Sequence, residues 1–246
     1  MFDRIHSFVR DVGALKTEPE LAEVLTDLGR QLGFRYFALT HHLDVRNNSA
    51  AIRIHNYPRG WADWFDEQGL SGVDPVHRAS QKRIAGFPWS KLGELLILTP
   101  QDVAVLEAAR KRGIGDGFTV PAHVPGEPQG SISFATETGV ALDREVFPLL
   151  QLVGGFAFEC ARRLRPMYGS LVATLPRLTD RQRECVRWAA RGKSNWEISR
   201  IMNLSKETVI DHLKEARERY GVANRTSLTV HALFDGSIAF HEIIPN

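Results

Sequence analysis

Apolar residues recur at helical spacing from the start of the chain. Phe2, Ile5, Phe8, Val9, Val12 and Leu15 fall on one face and predict a helix over 2–15. Leu21, Val24, Leu25, Leu28 and Leu32 form a second stripe, bounded by Thr17 with Glu20 three residues on, a capping-box pattern, and by Gly33. The pattern then shifts. "FRYFALTHHL" (34–43) and "AAIRIHNY" (50–57) are aromatic or alternate apolar with polar, and read as strands with "DVRNNS" as a hairpin loop between them. A helix is predicted from Pro58 to about Gln68. Asp74-Pro75 and Thr99-Pro100 each place a capping residue before proline at a helix start. "GFTVPAHV" and "GSISFATE" predict two more strands joined by "PGEPQG", and a long apolar helix follows from Leu142 to about Leu164. Strands joined in pairs by short loops, with helices before, between and after, predict an α+β domain: an α-β-α sandwich around an antiparallel sheet.

Near residue 165 this pattern stops. Pro166, Gly169 and Pro176 mark a linker over 166–176, separating a domain over 1–165 from one over 177–246. The second part shows four helical segments and no strand signal, an all-α four-helix unit. Thr179 and Asp180 are candidate caps for the first helix, which ends at Gly192. Ser194 caps a short second helix, Asn203 and Leu204 form a tight turn, and Ser205 caps a third helix running to Tyr220. Gly221 stops it and a fourth helix begins near Arg225. Two helices joined by so short a turn form a helix-turn-helix. Ile198, Ile201, Met202, Val209 and Leu213 are its expected inward positions. Lys206, Glu207, Ile210, Asp211, Lys214 and Arg217 repeat along the outer face of the third helix. In a major groove such a face, with Thr208 beside it, can hydrogen-bond base edges and touch thymine methyls. Lys193, Arg200 and Lys206 suit phosphates. On spacing alone, the same face also fits a solvated surface on a small helical bundle.

Composition changes this picture little. Apolar residues make up 43% and charged residues 24%, ordinary for a soluble globular protein. No run of eighteen apolar residues predicts a membrane span, and "MFDRIHSFVRDVG" does not read as a secretory signal. Cys160 and Cys185 lie in helical patterns away from metal-ligand spacing, which suits reduced thiols in the cytoplasm. The net charge is +2, but from Arg177 onward twelve basic residues face nine acidic ones, leaving the C-terminal part mildly basic. That balance is compatible with a nucleic-acid partner.

The C-terminal segment resembles the LuxR-type DNA-binding domain. The resemblance is carried by "LTDRQRE", "WAARGKSNWEIS", "LSKETVIDHL" and "RYGVANRT", across some sixty residues. Gln182 stands where that family has Glu, and Val186 where it has Leu. The resemblance implies a dimer reading a palindromic promoter element, with RNA polymerase as a further candidate partner.

The stretch "NYPRGWADWFDEQGLSGVDP" (56–75) concentrates Tyr57, Trp61, Trp64 and Phe65 around an acidic residue, Asp74, in a chain with five Trp and four Tyr. On composition this is core or pocket lining. With "VDPV", "FPW" and "GIGDGFTVP", it makes residues 1–165 resemble the acyl-homoserine-lactone-binding domain of quorum-sensing regulators. The resemblance implies that Trp61 donates to the lactone carbonyl and Asp74 accepts the ligand's amide N–H. Tyr57 would donate to the acyl carbonyl, helped by Ser133, while Trp89 and Phe118 form apolar wall. Such a ligand needs donors for its carbonyls and one acceptor for its amide, and Trp, Tyr and Asp supply that set. On spacing alone, Asp74 is also a helix cap, and both roles can hold.

Phe65 stands where the family commonly has Tyr, and Val76 is also apolar. Together they predict an apolar acyl end suited to a short, branched or aromatic acyl group. A related sensor answering a non-lactone plant or host compound is the alternative. His41 and His42 are adjacent on a strand, point to opposite faces and are assigned no metal. No His-x-x-x-His pair, Gly-x-Ser-x-Gly or plausible Cys–His pair supports a hydrolase, so no enzyme activity and no cofactor beyond the signal ligand are expected.

Overall fold

The computed structural model describes residues 2–43, 51–165 and 177–244. The expected hairpin loop over 44–49 and linker over 166–176 lie outside them. The chain divides into two compact units, Met1–Val124 with Pro128–Gly169, and Ser170–Asn246 with Pro125–Glu127.

The first unit is built on a five-stranded antiparallel sheet in the order β2-β1-β5-β4-β3. Its strands are β1 (Tyr36–His41), β2 (Arg53–His55), β3 (Phe87–Pro88), β4 (Ile114–Ala122) and β5 (Gly130–Glu137). β1 pairs with β2 and β4 with β5, as their short connections predict, and β1 pairs with β5 at the centre. The register decides what each face carries. Phe37, Phe134 and Phe118 lie opposite one another across the three central strands, and Ala38, Ser133 and Thr119 form the next row. Because side chains alternate along a strand, the two rows face opposite sides.

The phenylalanine row faces three helices: α1 (Phe2–Ala14), α2 (Glu18–Gln31) and α7 (Phe147–Leu164). Ile5, Phe8, Leu21, Leu25, Leu150 and Phe158 complete that core. The predicted box at Thr17 and Glu20 caps α2. Gly154 lets α7 lie close to the sheet, since a Cβ there would meet Val120 at 2.8 Å. The serine–threonine row faces α3 (Arg59–Glu67), α4 (Pro75–Ser80) and α6 (Pro100–Lys111), with the one-turn α5 (Leu92–Leu95) alongside. Helices on both faces make the expected α-β-α sandwich.

Three boundaries differ from expectation. The strand predicted over 50–57 is regular only at Arg53–His55. The helix predicted from Leu142 begins at Phe147, because Pro148 suits a first turn and a 3₁₀ turn capped by Asp143 precedes it. β3, with two residues, is too short to leave a periodic signal.

The second unit is helical: α8 (Asp180–Ala190), α9 (Asn195–Met202), α10 (Lys206–Tyr220), α11 (Arg225–Phe234) and the short α12 (Phe240–Ile243). Cys185, Val186, Ile198, Val209, Ala216 and Leu228 form its buried centre. Asn203 holds the tight turn at φ 53°, a left-handed conformation that Asn tolerates better than most residues.

Candidate ligand cavity and DNA-facing helix

The polar row of the sheet is the floor of a cavity roofed by α3, α4 and α6. Its volume is about 90 Å³, several times the roughly 10–15 Å³ that one water needs. Tyr57, Trp61, Phe65, Asp74, Val76, Trp89 and Ser133 all line it. Phe118 does not. One residue from Thr119 in register, it faces the helix side and stacks on Phe147 with ring centroids 4.3 Å apart. Trp64 is also absent from the lining. It packs on Trp61 at 5.3 Å and lies under the Arg112 guanidinium.

Local chemistry sets each polar group. Asp74 caps α4, its Oδ1 accepting the His77 N–H at 2.9 Å. That role leaves Oδ2 as an acceptor on a buried carboxylate in the cavity wall. Burial, with the Asp74 charge added, pushes the Tyr57 hydroxyl well above its usual range, so it stays a protonated donor. Trp61 is buried by α3 and can only donate. Tyr57, Trp61 and Asp74 thus bring two donors and one acceptor to the cavity wall from the segment 57–74 alone.

Ser133 is connected to more than was expected. Trp89 Nε1 donates to Thr119 Oγ1 at 2.8 Å, and Thr119 and Ser133 share a hydrogen bond of 2.8 Å. With Thr119 accepting from Trp89 and donating its O–H to Ser133 Oγ, the serine hydroxyl is left to donate into the cavity. The Trp89 ring fits only because position 117 is glycine, where a Cβ would meet the ring at 2.6 Å.

The cavity wall is apolar on one side only. Val76, Val105, Leu106, Ala109 and Ile114 are apolar, but Thr40, Arg53, His55 and Asp66 also line the cavity. The sequence reading missed these four. Their alternation with apolar neighbours is visible in the sequence, but not that the cavity under α3 extends to this edge of the sheet. His41 and His42 do point to opposite sides. His41 packs edge-on against Phe158 of α7, and its Nδ1 accepts the Ile52 N–H at 3.1 Å. His42 bonds Ser131 Oγ at 2.9 Å and stacks on His77 with ring centroids 4.1 Å apart. Among the described residues, no group of three His, Cys, Asp or Glu side chains is placed to hold a metal ion.

In the second unit, Ser194 and Ser205 cap α9 and α10 as expected. Ile198, Met202, Val209 and Leu213 are buried, but Ile201 is exposed. The inward stripe of α9 runs through Ile198, Ser199 and Met202, and position 201 falls just off it. Lys206, Glu207, Ile210, Asp211 and Lys214 are exposed along α10, with Thr208 and Arg217 half-buried beside them. Thr208 Oγ1 bonds the Ser205 cap at 2.9 Å. Lys193 is held at 3.0 Å by Glu197, and Arg200 lies near the exposed ring of Trp196, which the sequence reading passed over. Arg225 donates to Asn195 Oδ1 at 3.0 Å and to the Lys193 carbonyl, tying α11 to the start of α9.

Gln182 explains its own departure from the family. It is buried, completes the Thr179 capping box through Oε1 and donates through Nε2 to Glu215 at 2.7 Å. A glutamate there would set one carboxylate against another.

Comparison with known proteins bears on both units. Residues 17–161 match the autoinducer binding domain family, and residues 176–232 match the bacterial regulatory proteins of the luxR family. The chain belongs to the LuxR family of quorum-sensing transcription regulators. It is similar to the quorum sensing-dependent transcriptional regulator RpaR of Rhodopseudomonas palustris, 32% identical over 75% of this chain and 74% of RpaR. It is also similar to the transcriptional activator VanR of Vibrio anguillarum, 26% identical over 96% and 98% of the two chains. The crystal structure of Escherichia coli SdiA shares the fold, with a TM-score of 0.72 at 22% identity, covering 97% of this chain and 99% of that one. LuxR-family proteins of this kind bind an autoinducer through the first domain and DNA through the second, and they are regulators rather than enzymes. Among the described residues no helix is long and apolar enough to cross a membrane.

Proposed function

We propose that this chain is an N-acyl-homoserine-lactone receptor that binds a palindromic promoter element as a dimer. One observation carries the ligand reading: Asp74 spends one oxygen on the α4 cap and keeps the other for an amide N–H, in a cavity where Tyr57 and Trp61 can donate. Each ligand group left unpaired on burial would cost about 1–3 kcal/mol. A matched clamp therefore selects a molecule with two carbonyls and one amide. Trp61 takes the lactone carbonyl, Asp74 the amide, and Tyr57 with Ser133 the acyl carbonyl. The apolar walls around Val76, Phe65 and Trp89 suit a short, branched or aromatic acyl group. Best binding of long 3-oxo chains in a ligand panel would overturn that last point.

The ligand completes the core of a domain over 1–165, joined by 166–176 to a DNA-binding domain over 177–246. Binding favours the folded receptor by mass action. Dimerisation uses α7, whose Leu152 and Phe156 are exposed one turn apart, and α11, where Val230 and Phe234 are exposed. Two α10 helices then enter successive major grooves at half-sites roughly 10 bp apart, with Lys193, Arg200 and Lys206 on phosphates.

Extracting protein expressed in a signal-producing host and weighing the bound compound tests this directly. Recovery of an acyl-homoserine lactone is the expected result. Recovery of a compound without a lactone ring would replace the reading with a receptor for a host or plant molecule.

A further inference from the structure

The proposed clamp leaves one edge of the cavity unused. β2 buries Ile54 on the face covered by α1, α2 and α7 and turns Arg53 and His55 to the cavity, beside their register partners Thr40 and Ala38. These are polar groups where an alkyl chain would want none. Arg53 is ion-paired with Asp66 of α3 at 2.5 Å, with side chains 29% and 22% exposed. The pair is close to neutral, yet a guanidinium carries five N–H donors and one carboxylate cannot take them all.

His55 adds a second donor. Its Nδ1 is buried and has no hydrogen-bond partner. A proton there would be an orphaned buried donor, which favours the tautomer that carries it on Nε2. Burial, and then the nearby Arg53 charge, lowers the His55 pKa, which keeps the ring neutral.

We propose that Arg53 and His55 form a subsite for an uncharged oxygen on the ligand's acyl group, such as a hydroxyl. Two donors next to a neutralised ion pair suit a neutral acceptor and give little reward to a carboxylate. The His55 and Tyr57 rings stand 6.1 Å apart between centroids. The second oxygen therefore sits within a short acyl group's reach of the carbonyl held by Tyr57, rather than at the end of a long chain. The inference rests on the lactone-receptor reading and sharpens it: the acyl group is short and oxygenated.

The test is calorimetric titration of the full-length protein with hexanoyl-homoserine lactone and its 3-, 4-, 5- and 6-hydroxy forms, and with phenylacetyl- and hydroxyphenylacetyl-homoserine lactones. At least one hydroxylated ligand is expected to bind about tenfold more tightly than its parent, the worth of one well-placed hydrogen bond. That preference should collapse to about one in His55→Phe and shrink in Arg53→Met. If every hydroxylated ligand binds no better than its parent, the subsite is refuted by the wild-type series alone, whether or not the variants fold. A preference that survives both substitutions refutes it equally. If no lactone binds at all, the receptor reading itself fails and takes the subsite with it.

Discussion

Asp74→Asn separates two jobs that one carboxylate performs. Asp74 Oδ1 accepts the His77 N–H at 2.9 Å and caps α4. Asparagine caps a helix about as well as aspartate, so the variant keeps that bond through its amide oxygen. The amide NH₂ then occupies the position of Oδ2 and points a donor at the ligand's own N–H. Binding loses a hydrogen bond to a charged acceptor, about 1.5–3 kcal/mol, and leaves a buried N–H unpaired at about 1–3 kcal/mol. These terms overlap, and a net loss of about 2–4 kcal/mol means roughly 30- to 1,000-fold weaker binding. Folding without ligand should change by only a few tenths of a kcal/mol. Asp74→Ala, by contrast, removes the cap and should cost about 1 kcal/mol in addition.

Urea denaturation with and without lactone measures both quantities. At 100 times the wild-type dissociation constant, ligand should stabilise the wild type by about 2.7 kcal/mol and the Asn variant by less than about 1 kcal/mol. Binding by Asp74→Asn within threefold of wild type would show that Oδ2 does not hold the ligand. A ligand-free Asn variant as unstable as the Ala variant would refute the separation of roles.

Three other outcomes follow from the same structure. Gln182→Glu should destabilise the protein by about 2–4 kcal/mol at pH 7, because a buried carboxylate would replace the amide that donates to Glu215 at 2.7 Å. The new carboxyl titrates higher folded than unfolded, so the deficit should shrink as pH falls from about 7 to about 4; a deficit independent of pH would remove the charge explanation. Lys214→Ala, at an exposed position 3.9 Å from Glu218, should weaken promoter binding and lower the salt-dependence slope by about one while ligand affinity holds; normal gel-shift affinity would take Lys214 out of the interface. Burial, then the charges of Arg165 and Arg162, depress His41 to about 4, so the unfolded chain takes up its proton first. Stability should fall as pH drops from about 6.5 to 4, by up to about 3 kcal/mol, and denaturation across that range should show a shallower fall in His41→Gln.

Much of the fold is legible because its signals are local. The capping boxes at Thr17, Thr99, Thr179 and Ser194 need only a few residues each, and the structure closes all four. The family resemblance points to Tyr57, Trp61 and Asp74 as a clamp, and the structure brings all three to one cavity; on composition alone the same stretch reads equally as core. What could not be read depends on which side of the sheet is which. Phe118 and Thr119 alternate, and nothing in their own stretch says which one meets α7. The Trp89–Thr119–Ser133 chain joins residues up to 44 positions apart through the register of β4 and β5. The alternation in β2 separates Arg53 and His55 from Ile54, but nothing in that stretch says that their side borders the cavity. Ile201 shows the same limit on a helix, where a step of one position moves a side chain out of the buried stripe.

The division of labour inside the cavity bears on how such receptors diverge. In the proposed receptor, the lactone clamp is built from Tyr57, α3 and the start of α4, where the same residues also build helices and caps. The polar edge comes from β2, an outer strand of three residues bonded to a single neighbour in the sheet. A change at position 53 or 55 alters one wall without moving the clamp. Under the proposed subsite, two populations keep one chemical alphabet and drift apart in dialect, each favouring its own signal by about tenfold after a substitution at the sheet's edge.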